Sequence, residues 1–187
     1  MSVPEITVRF ATADDTALLL RFIRELAVFE RAPDAVVATE ADLRHHGFGP
    51  EPNFEAILAF LDGDPVGCAL FHTRFSTWLG RPGLYLEDLC VAEPARGRGV
   101  GKRLMARLAA IAVERGWGRI DFHVLDWNPA RAFYHRLGMS HVGGWLRMWS
   151  SELNSGMVGT HSVENVARIR SRSQSGGTTY TSRFPRK

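Results

Sequence analysis

The stretch Arg96-Gly97-Arg98-Gly99-Val100-Gly101-Lys102 decides how the rest of the chain is read. It stands between a strand-like run, Leu84 to Val91, and a helical stripe of Val100, Leu104, Leu108 and Ile111 that Gly116 can end. Backbone N–H groups at such a junction, helped by the positive end of the helix dipole, can hold a phosphate, and glycine lets the main chain approach it closely. The two commonest nucleotide loops fail on residue identity. A phosphate-loop NTPase would need Gly at 96 and Ser or Thr at 103, where Arg96 and Arg103 stand. A dinucleotide fold would need Gly at 102, where Lys102 stands.

Upstream of the loop, Ile6, Val8 and Phe10 alternate with polar residues, the period of a half-buried strand. Thr12 can cap a helix whose first turn carries Asp14 and Asp15 and whose apolar side is Leu18, Leu19, Phe22, Ile23, Leu26 and Phe29. Thr39 with Asp42 predicts a second, short helix ending near Gly47. Three strands should follow, Phe54 to Leu61, Pro65 to Phe75 and Leu84 to Val91, the first two joined by a hairpin turn at Asp62-Gly63.

Downstream of the loop's helix, Ile120, Phe122 and Val124 alternate as another strand. Asn128-Pro129 then reads as the N-cap and first position of a helix that Gly138 stops, and a last strand is expected from Met139 to Met148. The order βααβββαβαβ is that of an α/β domain, a mixed sheet with helices on its faces, spanning residues 1–149. Beyond Trp149 the chain turns to Ser, Gly, Thr and Arg without apolar period, and residues 150–187 are expected to be a disordered basic tail.

Bulk properties narrow the function classes. At 187 residues, 45% hydrophobic and 23% charged, the chain can bury one core of ordinary size. The net charge of +3 belongs to the tail: of 23 basic and 20 acidic residues, six and two follow Trp149, so the preceding part is close to neutral and should not attract nucleic acid. Neither a signal segment nor an apolar run of membrane length is present, and a cytoplasmic protein without membrane attachment is expected. Cys68 and Cys90 lie in apolar runs at no metal-like spacing and read as buried side chains; no metal site is expected.

The pattern Arg-x-x-Gly-x-Gly of Arg96, Gly99 and Gly101 resembles the pyrophosphate signature of the GNAT acetyltransferase superfamily. Tyr85-Leu86-Glu87-Asp88-Leu89, Trp127-Asn128 and Phe133-Tyr134-x-x-x-Gly138 follow in the order seen in its spermidine/spermine and thialysine acetyltransferase branch. Phe29-Glu30, Gly47-Phe48-Gly49 and Trp78-Leu79-Gly80 look like the same branch. The likeness covers roughly residues 5 to 148. It implies acetyl-CoA as acetyl donor, a homodimer, and direct transfer to an amine.

Such a transfer needs an amine free of its proton, and alkyl ammonium groups titrate near about 10.4. The resemblance implies Glu87 as the base, acting through water, and Tyr134 as the acid for the departing thiolate. Glu30, Trp78, Glu87 and Asp88 would hold the cationic acceptor. The resemblance gives the cofactor Leu89, Cys90 and Val91 as main-chain contacts, with Arg96, Gly97, Arg98, Gly99, Val100, Gly101 and Lys102 as the phosphate loop. Asn128 and Tyr134 complete its contacts, although helix capping explains Asn128 equally well.

Simple alternation sends Glu87 and Asp88 to opposite faces, and only a bulge, a trait of the family's fourth strand, would turn both to one site. Ser76 stands where polyamine enzymes commonly carry Asp, which favours a lysine-like or thialysine-like acceptor over a polyamine. Peptide amines, a non-catalytic acyl-CoA-binding module and nucleic-acid binding by the tail are the competing readings.

Overall fold

A computed structural model describes residues 5–144. Five strands form one sheet in sequence order: β1 (Ile6–Phe10), β2 (Glu55–Leu61), β3 (Asp64–Ser76), β4 (Arg81–Val91) and β5 (Ile120–Asp121). The first four run antiparallel and β5 joins β4 in parallel. The helices are α1 (Thr16–Phe29), α2 (Glu40–Phe48), α3 (Val100–Glu114) and α4 (Ala130–Arg136). The chain divides after Phe133 into two units, and each is described by itself.

Local chemistry explains most boundaries. At Thr12 the backbone N–H donates to Asp15 Oδ2 at 2.7 Å and a short 3-10 turn opens into α1. Thr39 and Asp42 form the reciprocal capping box that starts α2, with the Thr39 N–H donating to Asp42 at 2.8 Å. The β2–β3 hairpin turns through Asp62 (φ 54°) and Gly63 (φ 91°), the two left-handed positions of a type I′ turn.

The sheet is covered on both sides. On one, Leu19, Leu20 and Phe22 of α1 and Leu43 of α2 pack with Ala56, Leu58, Cys68, Leu70 and Cys90. On the other, α3 lays Val100, Leu104, Leu108 and Ile111 across the sheet, with Leu104 beneath Gly67. Each such fully buried aliphatic side chain contributes about 1.5–3 kcal/mol.

The α/β architecture expected from the sequence is the one present, with two differences at the C-terminal side. The strand expected over Ile120, Phe122 and Val124 is only two residues long, because β5 pairs with β4 solely at Leu84↔Ile120 and Tyr85↔Asp121 and then departs. Val124 and Leu125 are consequently over a third exposed. The expected strand over Met139 to Met148 is absent from residues 139–144; residues 145–148, like the tail expected at 150–187, lie outside the described residues.

Candidate active site

The register between β3 and β4 shifts in the middle of the ladder. Leu70 pairs with Asp88 and Phe71 with Leu86, so Glu87 is an extra residue on β4. Such a bulge reverses the alternation: Leu84 and Leu86 face α3, whereas Asp88 and Cys90 share the α1 face with Leu70 and Cys68. Glu87 reaches that face too, for its Oε2 lies 3.9 Å from Nε2 of His72, two residues along from Leu70. The two adjacent carboxylates, which simple alternation would separate, are thus turned to one side.

Glu30, the C-cap of α1, adds a third carboxylate to this surrounding. The Asp88 carboxyl is pushed up to about 6, first by burial and then by the charges of Glu87 and Glu30. Among the described residues Asp88 pairs with no cation. An uncompensated carboxylate in such a place is costly when charged, and an ammonium group would remove that cost.

Beside the carboxylates the sheet is open. β5 leaves β4 after Tyr85, and among the described residues no strand covers the outer edge of residues 86–91. That edge holds Leu89, Cys90 and Val91. Cys90 is 4% exposed and its thiol is pushed up to about 12, chiefly by burial, so it stays protonated and is a poor nucleophile.

At the far end of β4 lies the glycine loop. Gly97 (φ 76°) and Gly99 (φ 92°) take left-handed conformations that side chains resist, and added Cβ atoms would meet nothing closer than Ile6 at 3.7 Å from Gly99. Gly99 is the N-cap of α3, whose first N–H groups have no partner inside the helix. Exposed Arg98 and Lys102 flank them, and the Val100 side chain is buried beneath. Gly101 has a packing role: the Phe133 ring lies 3.4 Å from where its Cβ would be. Arg96 is partly committed, since Nε donates to the Val91 carbonyl at 3.1 Å and the guanidinium lies 4.9 Å from the Phe29 ring centroid.

Other predicted residues fall as follows. Asn128 is buried and its Oδ1 accepts the Ala130 N–H at 2.9 Å, the expected N-cap. Trp127 packs on Phe29 at 6.1 Å and receives the Arg31 guanidinium at 4.5 Å, which ties the loop after β5 to the end of α1. Tyr134 belongs to the second unit, where its carbonyl accepts the N–H groups of Leu137 and Met139. Trp78, 71% exposed, occupies the β3–β4 turn. From Asp88 to Arg81 alone is seven residues of strand, about 20 Å at strand rise, so Trp78 stands well apart from the three carboxylates. Ser76 is buried and its Oγ accepts the Leu79 N–H at 3.2 Å within that turn.

Sequence reading missed three members of the carboxylate surroundings: His72, the role of Tyr85, and His123. The His72 and Tyr85 rings are 5.0 Å apart, and the Tyr85 hydroxyl hydrogen-bonds Nδ1 of His123. Only the register, which no residue spacing reveals, brings them together.

Comparison with known proteins agrees with this geometry. The profile of the Acetyltransferase (GNAT) family matches residues 20–139, well over half of the chain. The chain belongs to the GNAT acetyltransferase family. This GNAT chain is 36% identical over 152 residues to thialysine N-epsilon-acetyltransferase of Bos taurus, covering 75% of the chain and 89% of the relative. It is 34% identical over 155 residues to spermidine/spermine N(1)-acetyltransferase-like protein 1 of Homo sapiens, covering 77% of the chain but 22% of that longer protein. An aminoglycoside acetyltransferase from an uncultured soil metagenomic sample shares the GNAT fold, with a TM-score of 0.65 at 21% identity over 79% of this chain and 99% of that one. The protein is therefore an acetyltransferase. Among the described residues no group of side chains could hold a metal ion, and no helix is long and apolar enough to cross a membrane.

Proposed function

We propose that the protein moves an acetyl group from acetyl-CoA directly onto the primary amine of a small cationic metabolite, a lysine-like or thialysine-like amino acid in preference to a polyamine. The observation that carries the reading is Asp88, a largely buried carboxyl with no cation partner among the described residues, raised to about 6 beside Glu87 and Glu30. A cationic chain end would supply the missing countercharge. The two relatives reported above are named for acceptors of that class.

The residues present fit the donor. Gly97 and Gly99 leave the main chain bare at the N-terminus of α3, the arrangement that holds a pyrophosphate, with Arg96, Arg98 and Lys102 beside it. When bound, acetyl-CoA supplies the acetyl group as a thioester. The open edge at Leu89, Cys90 and Val91 offers main-chain groups to its pantetheine arm, and Asn128 lies on the loop beyond that edge. Asp88 and Glu30 hold the ammonium end of the acceptor. Glu87, more exposed than Asp88, takes the proton that must leave before the nitrogen can attack. Tyr134 gives a proton to the departing thiolate, a role that rests on its family match. The high position of the Cys90 thiol favours direct transfer over an acyl-enzyme.

Within this site three carboxylates serve one chain end. The extra ammonium groups of spermine would need further anions, and Ser76 supplies none. The test is a panel of lysine analogues, diamines, polyamines and peptides with acetyl-CoA, followed by thiol release. Highest kcat/KM for a lysine-like amine is expected; a preference for spermine or for peptide N-termini would overturn the acceptor assignment.

A further inference from the structure

We infer that His72 relays to solvent the proton that Glu87 removes from the amine, its neutral form set by the Thr73 carbonyl and its ring standing beside that of Tyr85. The inference rests on Glu87 acting as base. It begins from the His72 ring itself. Nδ1 lies 3.2 Å from the Thr73 carbonyl oxygen, which can only accept, so neutral His72 keeps its proton on Nδ1. Nε2 is left with its lone pair, and that is the atom 3.9 Å from Glu87 Oε2.

The transfer balances in two steps. An N–H bond of the ammonium breaks, its electron pair stays on nitrogen, and Glu87 becomes a carboxylic acid. The Glu87 O–H bond then breaks, Nε2 of His72 takes the proton, and Glu87 returns to carboxylate. The imidazolium loses the proton to water or buffer. At 3.9 Å the pair is too long for a direct hydrogen bond; one bridging water or a small rotation of the Glu87 side chain closes the gap. The His72 side chain is 37% exposed and that of Glu87 60%, so water reaches both and His72 opens to bulk solvent.

An exposed ion pair would by itself contribute little. What sets this one apart is the support behind it. The Tyr85 ring stands 5.0 Å from that of His72, Arg74 lies 5.6 Å from the centroid of the Tyr85 ring, and His123 Nδ1 hydrogen-bonds the Tyr85 hydroxyl. Among the described residues, the charged and titratable groups that face His72 are Glu87 and Tyr85 of β4; Arg74 and His123 lie against Tyr85, and Asp88 and Glu30 stand beyond Glu87. His72 is a positioning residue that acts through Glu87 and need not touch the acceptor.

The experiment uses the full chain with H72A and H72Q. Both variants should lose kcat about tenfold, with KM for amine and acetyl-CoA unchanged, because neither side chain can carry a proton. Added imidazole should restore H72A, where the substitution leaves room for it, and should not restore H72Q. Retained kcat in both variants, or a loss in H72A that imidazole leaves untouched, overturns the relay. A second arm needs no turnover: in the 15N-histidine-labelled wild-type protein, neutral His72 should carry its proton on Nδ1. A proton on Nε2 overturns the relay. Should wild type transfer acetyl to no amine, the functional reading falls first, and the tautomer measurement still separates the two.

Discussion

Changing Asp88 to Asn removes the charge that the fold accommodates least well. The carboxyl stands at about 6 against an ordinary 3.8, a rise of about 2 units caused first by burial. At about 1.36 kcal/mol per unit this corresponds to about 3 kcal/mol, an upper value because Asp88 is not fully enclosed. The sign follows from the direction. A raised carboxyl binds more protons in the folded than in the unfolded chain, so wild-type stability falls as pH rises from about 4 to about 6 and the penalty is complete above. Asp88→Asn carries no such penalty. Urea unfolding at pH 4, 5, 6, 7 and 8 should show the variant gaining on wild type across the lower interval, by about 1–3 kcal/mol, and holding a constant lead above pH 7. That is a large fraction of a typical domain's 5–15 kcal/mol. Its kcat/KM for a cationic amine should fall at the same time. A lead that is absent, or that does not change between pH 4 and pH 7, would refute the account of Asp88 as a strained carboxyl awaiting a cation.

Three further outcomes are expected. Gly99→Val should lose acetyl-CoA binding at least tenfold by calorimetry while keeping its circular dichroism, and the forced φ of 92° should also lower stability by about 1–3 kcal/mol; wild-type affinity would exclude the loop as phosphate site. Tyr134→Phe should cut kcat by about 10² with acetyl-CoA affinity unchanged, and an unaltered turnover number would leave Tyr134 a packing residue. Thr39→Ala should cost about 1 kcal/mol in thermal unfolding through loss of the α2 capping box, with kcat unchanged.

Fold and site were legible in the sequence to different degrees. Caps such as Thr39 with Asp42 and the turn at Asp62-Gly63 depend on neighbours in sequence, and the structure places them where spacing predicts. The glycine loop was legible for the same reason. Strand ends depend on a partner: Phe122 and Val124 alternate as a strand should, yet β4 offers β5 only Leu84 and Tyr85. The facing of Glu87 and Asp88 was undecidable from their own alternation, because the bulge is a property of the β3–β4 register. His72 and His123 escaped notice because the groups they meet, Glu87 and Tyr85 respectively, are 15 and 38 positions away. Trp78 shows the converse, a residue picked by resemblance that this chain's hairpin carries about 20 Å from the carboxylates.

The brevity of β5 has a mechanical meaning. Two ladder pairs at Leu84 and Tyr85 fasten it to β4, and the Tyr85–His123 bond acts as a rivet just above that seam, where the two strands fork. A seam so short opens at small cost without disturbing the four-stranded antiparallel slab, so the amides of residues 120–129 should exchange with solvent far sooner than those of β2 and β3. The fork can therefore widen and narrow about a fixed base. If the donor lies along the β4 edge as proposed, it would enter and leave by movement of the β5 tine alone, while the carboxylates on β4 stay where the core holds them.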